Sequence, residues 1–294
     1  MDRIDENKAI ARREIEDFEG KGNVSLAREL FAADYKLAFG GMPTMDCAGH
    51  EQLIGAFRTA FPDLQIRVTE QVAAADRVGN HWVAQGTHRG AFQGIPATDK
   101  AVTITGNNVM HIADGRIRAI WGQFDAVGLM AQLGAIPGPV PAYAASDTRS
   151  ATSSPSARGS ADVVRRFIAK FNEGRLDEID AEYDQNYVLD FPGGPAGAGK
   201  QGIRSATMEF RAAFPDLRFA IDDLFDEGER AAWRWTMTGT HKGKLGPVPA
   251  SGRKVQVPGI SIISLREGRI VRDRVRADMV GLLAQIGAIA SPST

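Results

Sequence analysis

Most of what this chain says, it says twice. "FPDL" at 61–64 returns at 214–217, and a shift of 153 positions then keeps the two halves in step without a gap for over seventy residues. Under that shift "GTHRG" (86–90) meets "GTHKG" (239–243), and "IPAT" (95–98) meets "VPAS" (248–251). "DGRI" (114–117) likewise meets "EGRI" (267–270), and "DAVGLMAQLGAI" (125–136) meets "DMVGLLAQIGAI" (278–289). A period this long is too large for a solenoid or propeller unit, so each copy is expected to be a whole domain with its own core. The expected division is 1–136, a linker dense in Pro, Ala and Ser over 137–160, and 161–294.

Charge and cysteine content remove several function classes. The net charge is −1, which gives no basic footprint for nucleic acid. No apolar run reaches the length of a membrane span, and the charged start "MDRIDENK" has no apolar stretch of a secretory signal. Cys47 is the one cysteine, so internal disulfides are excluded and a reducing, cytoplasmic setting is expected. Without an acid–base neighbour in the sequence, Cys47 reads as a packed thiol.

Each copy runs from helices to strands. Val164, Phe167, Ile168 and Phe171 follow i, i+3, i+4, i+7, with Ser160 as a candidate cap and Gly174 as a stop; Ala11, Ile15 and Phe18 match them in the first copy. A short helix is expected around 24–33 and 176–184, then a strand at "YKLAF" or "YVLDF", then an amphipathic helix ending at FPDL. Alternating segments follow, "LQIRVTEQV", "VGNHWVAQGTH", "AVTITGNNVMHI" and "RIRAIWGQF", with a hairpin turn at "ADGR". The fold class is therefore α+β: a curved antiparallel sheet packed on its N-terminal helices, with an apolar pocket between them.

Few motifs carry chemistry. "GPAGAGKQ" (194–201) resembles a phosphate-binding loop, but Gln201 stands where a Mg²⁺-ligating hydroxyl is needed, so it reads as a Gly-rich loop. His50, His81, His88, His111 and His241 form no close-spaced cluster with Cys or carboxylates, so no metal or other cofactor is expected. His88 and His241 hold the same place in both copies; by period two His88 shares a strand face with Trp82, as His241 does with Trp235. It reads either as a pocket residue or as a residue closing the strand end. On the last strand Trp121 and Gln123 lead by alternation to Asp125, whose counterpart is Asp278. Each Asp is either an acid–base group raised in pKa by a poorly solvated cleft, or the N-cap of the helix that follows.

Taken together, FPDL, "GTHRGAFQGIPAT", "DGRI" and "DAVGLMAQLGAI" resemble the SnoaL-like polyketide (ester) cyclase family, whose cone-shaped α+β fold is that of nuclear transport factor two. The resemblance spans nearly all of both copies. It implies cofactor-free, intramolecular aldol-type ring closure, with an acid–base Asp at the positions of Asp125 and Asp278. It also implies polar groups on the neighbouring strand, where this chain has Gly106 and Asn108, or Gly259 and Ser261. Single-domain relatives pair through their sheets, so the duplication implies an internal pseudo-dimer, with further self-association open.

The leading expectation is a lyase or isomerase acting on a small hydrophobic carbonyl compound. Asp125 and Asp278 would be catalytic. Trp82, His88, Asn108, Trp121, Gln123, Trp235, His241, Ser261, Arg274 and Arg276 would line the substrate. The alternatives are a non-catalytic module for a hydrophobic ligand and an epoxide- or lactone-hydrolase-like enzyme. Arg274 and Arg276 alternate with Asp278, so they are expected either to lower its pKa and make it the poorer proton donor, or to be turned out to solvent by a bulge.

Overall fold

The computed structural model describes residues 2–136, 159–193 and 197–289. The chain divides into two compact units, 1–150 and 151–294. In the first, α1 (Arg3–Arg13) runs into a π-helical turn (Glu14–Glu19), followed by α2 (Ala27–Leu30), β1 (Phe31–Phe39) and α3 (Cys47–Ala60). Then come β2 (Gln65–Ala74), β3 (Arg77–Thr87), β4 (Ala101–Ala113), β5 (Arg116–Phe124) and α4 (Ala126–Leu133). The second repeats the order with α5 (Ser160–Asn172), α6 (Leu176–Ile179), β6 (Tyr183–Asp190), β7 (Gly197–Ala198) and α7 (Gly199–Ala213). It ends with β8 (Arg218–Glu227), β9 (Arg230–Thr240), β10 (Lys254–Arg266), β11 (Arg269–Ala277) and α8 (Met279–Ile286). Most of the expected linker (137–158) and part of the Gly-rich loop (194–196) lie outside the described residues.

Each sheet is an antiparallel meander with one parallel strand added. The orders are β1-β5-β4-β3-β2 and β7-β6-β11-β10-β9-β8. β1 pairs in parallel with β5, and β6 with β11, so the sheets are mixed where the sequence suggested wholly antiparallel ones. The cause is α3, which carries the chain from β1 at one edge to β2 at the other. β1 also starts at Phe31, four residues before "YKLAF", because both Phe31 and Tyr35 are drawn into the core. Ser160 does not cap its helix: its hydroxyl donates to the Gly228 carbonyl, and Asp226 accepts from the Ala161 N–H instead.

The repeated FPDL and GTH segments explain each other. Asp63 Oδ1 and Oδ2 accept from the Thr87 N–H and hydroxyl, both at 2.7 Å, and Asp216 does the same to Thr240 at 2.7 Å. These four bonds pin the end of α3 or α7 to the end of β3 or β9. Three residues on, the backbones pass so closely that a Cβ on Gly90 would lie 2.2 Å from the Thr59 carbonyl oxygen, and one on Gly243 2.0 Å from that of Ala212. Only glycine fits there.

A one-residue bulge decides which side chains face the helices. β4 and β5 pair His111 with Ala119 but Ile112 with Ile117, so Arg118 is an extra residue; Val271 plays that part between β10 and β11. Past the bulge the faces exchange. Ile120 and Phe124 join the core of the first domain, and the turned-in positions of β11 are Asp273, Val275 and Ala277. On the inward face Trp82 lies flat over Gly106, where an added Cβ would come within 2.0 Å of the ring; Trp235 lies likewise over Gly259. Gly106→Ala is therefore expected to cost about 1–3 kcal/mol through overpacking, read by urea unfolding. The same change made in a Trp82→Leu background should cost less, because the clashing ring is gone; equal costs in both backgrounds would place the strain elsewhere.

Candidate functional site

Between the inward sheet face and the helices of the first domain lies an apolar cleft of about 560 Å³, open mouth included. Phe39, Leu53, Phe57, Trp82 and Phe124 are among its walls, and Glu19, His50 and Arg58 are its polar groups. That is the size and character of a small-molecule site.

The polar end of the cleft is built by the π-helical turn. In a regular helix residues 14 and 19 would point about 140° apart. Here the Gly20 N–H reaches back five residues to the Ile15 carbonyl at 2.9 Å, so Glu19 sits one turn above Glu14 on the same side. Both carboxyl groups meet His50 of α3: Nε2 is 3.0 Å from Glu19 Oε1 and 3.9 Å from Glu14 Oε1. The other ring nitrogen, Nδ1, is 2.9 Å from the Tyr35 hydroxyl of β1. Arg58 secures the end of the turn by donating to the Gly20 carbonyl at 2.7 Å.

Exposure separates the roles of the two acids. Glu14 is fully buried, and neither of its oxygens has a hydrogen-bond donor in range among the described residues. Burial first, and the adjacent Glu19 second, push its pKa well above the carboxylate range, so Glu14 is held as the neutral acid. Glu19 retains 22 % side-chain exposure and lines the cleft, so it is the carboxylate that a bound molecule meets. One nitrogen and two carboxylates within 4.8 Å of one another need positive charge between them. A shared proton supplies it, and a divalent cation would find the ligand types it prefers. The sequence showed no such cluster because its members lie on two separate elements and depend on the π turn.

Residues expected from sequence fall in four places. Trp82 lines the cleft. Asn108 faces inward but is tied by its Oδ1 to Asn80 Nδ2 at 2.7 Å, and is not among the lining residues. Trp121 and Gln123 alternate with Ile120 and Phe124 and so lie on the opposite face, the bulge having reversed the reading made from Ile117. His88 and His241 are buried at strand ends, each with Nδ1 3.1 Å from a loop hydroxyl, of Thr98 or Ser251, and with its ring against Phe61 or Phe214.

The two aspartates after the last strands have cap geometry. Asp125 Oδ1 accepts from the Gly128 N–H at 2.7 Å, and Asp278 Oδ1 from the Gly281 N–H at 2.8 Å. Asp125 is not among the cleft-lining residues. Burial raises the pKa of Asp278, against the Gly281 N–H that lowers it. The expected lowering by Arg274 and Arg276 does not occur: Arg276, itself fully buried, pairs with Asp190 at 2.9 Å, and neither arginine is turned wholly to solvent. Cys47 is half-buried with its Sγ 3.8 Å from Glu51 Oε1, and burial and that acid push its thiol pKa up.

Among the described residues the Glu–His cluster is found in the first domain; in the second domain α5 contains no glutamate and α7 no histidine. Its inward face instead carries Trp235, Ser261 and Asp273, with the Trp235 Nε1–H donating to Ser261 Oγ at 3.1 Å.

Comparison with known proteins places this architecture. The SnoaL-like polyketide cyclase family matches residues 9–133 and again 161–286. The chain belongs to that family, twice over. SnoaL-like relatives include the aklanonic acid methyl ester cyclases DauD of Streptomyces sp. (strain C5) and DnrD of Streptomyces peucetius. Each is 28 % identical over 131 residues, which is 43 % of this chain and 80 % or 89 % of the relative. Among solved structures, IdmH of Streptomyces antibioticus, described as a putative polyketide cyclase, is 29 % identical with a TM-score of 0.40, covering 44 % of this chain and 98 % of its own. No helix among the described residues is long and apolar enough to cross a membrane.

The buried acid gives this SnoaL-like chain a pH signature. Because the folded pKa of Glu14 is raised, the folded state holds a proton that the unfolded state loses, so stability falls as pH rises above the ordinary glutamate value of about 4.3. Melting temperature measured from pH 5 to 8 should therefore decline less in Glu14→Gln than in the parent. Parallel declines would mean that Glu14 is ionised in the fold.

Proposed function

We propose that the first domain is a cofactor-independent acid–base catalyst in which Glu19 moves a proton at a carbon next to a carbonyl. The observation that carries this reading is a carboxyl group facing an apolar cleft, with His50 and the fully buried Glu14 behind it. Glu19 takes the proton from the carbon, and the electron pair passes into an enolate. In an aldol-type closure that enolate carbon bonds to a second carbonyl carbon of the same molecule, and the new alkoxide takes the proton back. His50, positioned by Tyr35, orients Glu19 and shares the added proton. Arg58, the cationic group of the cleft lining, favours the enolate electrostatically.

The substrate class follows from the apolar walls and from relatives named for an aklanonic acid methyl ester: a hydrophobic ester or ketone. With that ester as substrate, Glu19→Gln should lower kcat by roughly 10²–10⁴-fold while binding survives, and His50→Asn should lower it less. Unchanged turnover in Glu19→Gln would reject the assignment. Turnover abolished by a chelator in the parent would make the cluster a metal centre instead. The aromatic lining also suits a non-catalytic ligand-binding module, which would bind the ester and leave it unaltered.

We also propose, from the duplication itself, that the two domains pair as two copies of a single-domain relative would. Small-angle scattering should then give the dimensions of one compact pair; those of two separated domains would contradict it.

A further inference from the structure

The corner that holds Glu14, Glu19 and His50 has the donor set and the spacing of a metal site. The imidazole Nε2 is 3.0 Å from Glu19 Oε1 and 3.9 Å from Glu14 Oε1, and one donor atom from each residue lies within 4.8 Å of the other two. Ligands roughly 2.0–2.2 Å from a tetrahedral cation stand about 3.4 Å apart. The two distances to Nε2 bracket that value, so small side-chain shifts would bring all three donors onto one ion. Glu14 is fully buried with no donor on either oxygen, and among the described residues no lysine or arginine pairs with either acid.

The surroundings complete the case. Tyr35 is 2 % exposed, and its hydroxyl lies 2.9 Å from His50 Nδ1. By accepting from Nδ1–H it leaves the Nε2 lone pair to a cation, which is the outer partner that ligating histidines almost always have. Glu19 and His50 line the cleft, so an ion has a way in and a fourth coordination position on the cleft side. One imidazole and two carboxylates suit zinc and its first-row neighbours, whereas magnesium and calcium prefer shells of oxygen alone. Two carboxylates around a dication also leave the buried corner without net charge. We infer that Glu14, Glu19 and His50 bind one divalent cation of the zinc class. The cation takes the place of the shared proton and occupies the Glu19 oxygen that the proposed chemistry uses, so it acts as an antagonist of that chemistry. This consequence rests on the acid–base reading; the binding itself does not.

The test uses the full chain, freed of metal with a chelator, dialysed and titrated with zinc chloride by calorimetry. One zinc should bind per chain, and a large excess of magnesium should not displace it. Tyr35→Phe, which leaves the ligands in place, should weaken zinc by roughly 10–100-fold, and Glu14→Gln, Glu19→Gln and His50→Asn should each weaken it further. His111→Asn, which removes a surface imidazole beside Asp76, should change nothing. Cobalt(II) in place of zinc should give the visible absorption of a four-coordinate site, lost in the same ligand variants, and melting curves would confirm that each variant is folded. A parent that binds no zinc, or zinc binding untouched by all three ligand changes, would overturn the inference. Binding lost in His111→Asn instead would assign the ion to the surface pair and overturn it too. None of these readouts uses turnover, so the metal site and the acid–base reading fail separately.

Discussion

Two carboxyl groups cannot share a buried corner with an imidazole unless a positive charge comes with them. That constraint organises the first domain. Glu14 lies where water cannot reach it, Glu19 lies where a ligand can, and His50 touches both. One proton held among the three keeps Glu14 neutral and lets Glu19 present a charge to an apolar cleft. The π turn stacks the two acids, α3 brings the histidine, and β1 supplies the tyrosine that fixes the ring. A helix of ordinary pitch would have sent one acid to solvent and left the histidine with a single partner. Irregular turns of this kind are strained relative to the regular helix and recur at functional sites.

The two halves show how a duplicated fold separates structure from chemistry. The parts that repeat are those that hold the shape: the Asp–Thr latch between FPDL and GTH, the glycine beneath each tryptophan, and the Asp cap on the last helix. The parts that differ face inward. The first domain has an amide pair, Asn80 and Asn108, on its sheet and its acids on a helix; the second has Ser261 and Asp273 on its sheet and no acid on its first helix but Asp162, which pairs with Arg165 at the surface. Duplication leaves one copy free to change its interior while the shared frame is kept.

The frame was legible in the sequence because it rests on local signals. Repeats, strand alternation, the "ADGR" turn and the amphipathic helices each follow from neighbouring residues, and they gave the α+β layers, the domain order and the family. The interior chemistry rests on departures from ideal periodicity. Alternation counted forward from Ile117 put Trp121 and Gln123 inside; a single extra residue, Arg118, reversed that, and the same event at Val271 turned Asp273 inward. Glu14 and Glu19 read as scattered helix charges because α periodicity separates them. Nothing in the letters marks a bulge or a π turn, so the residues they reposition were out of reach, whereas Trp82, which precedes the bulge, lies in the cleft lining. Capping was legible as one of two readings for Asp125, and its geometry is that of the cap.

The central claim is a proton retained by a glutamic acid at neutral pH. Carbon-13 NMR of the full chain labelled at the glutamate side-chain carboxyls reads it directly. At pH 7 one resonance should remain at the protonated position and vanish when Glu14→Gln is made. A spectrum in which every glutamate is ionised at that pH would contradict the account.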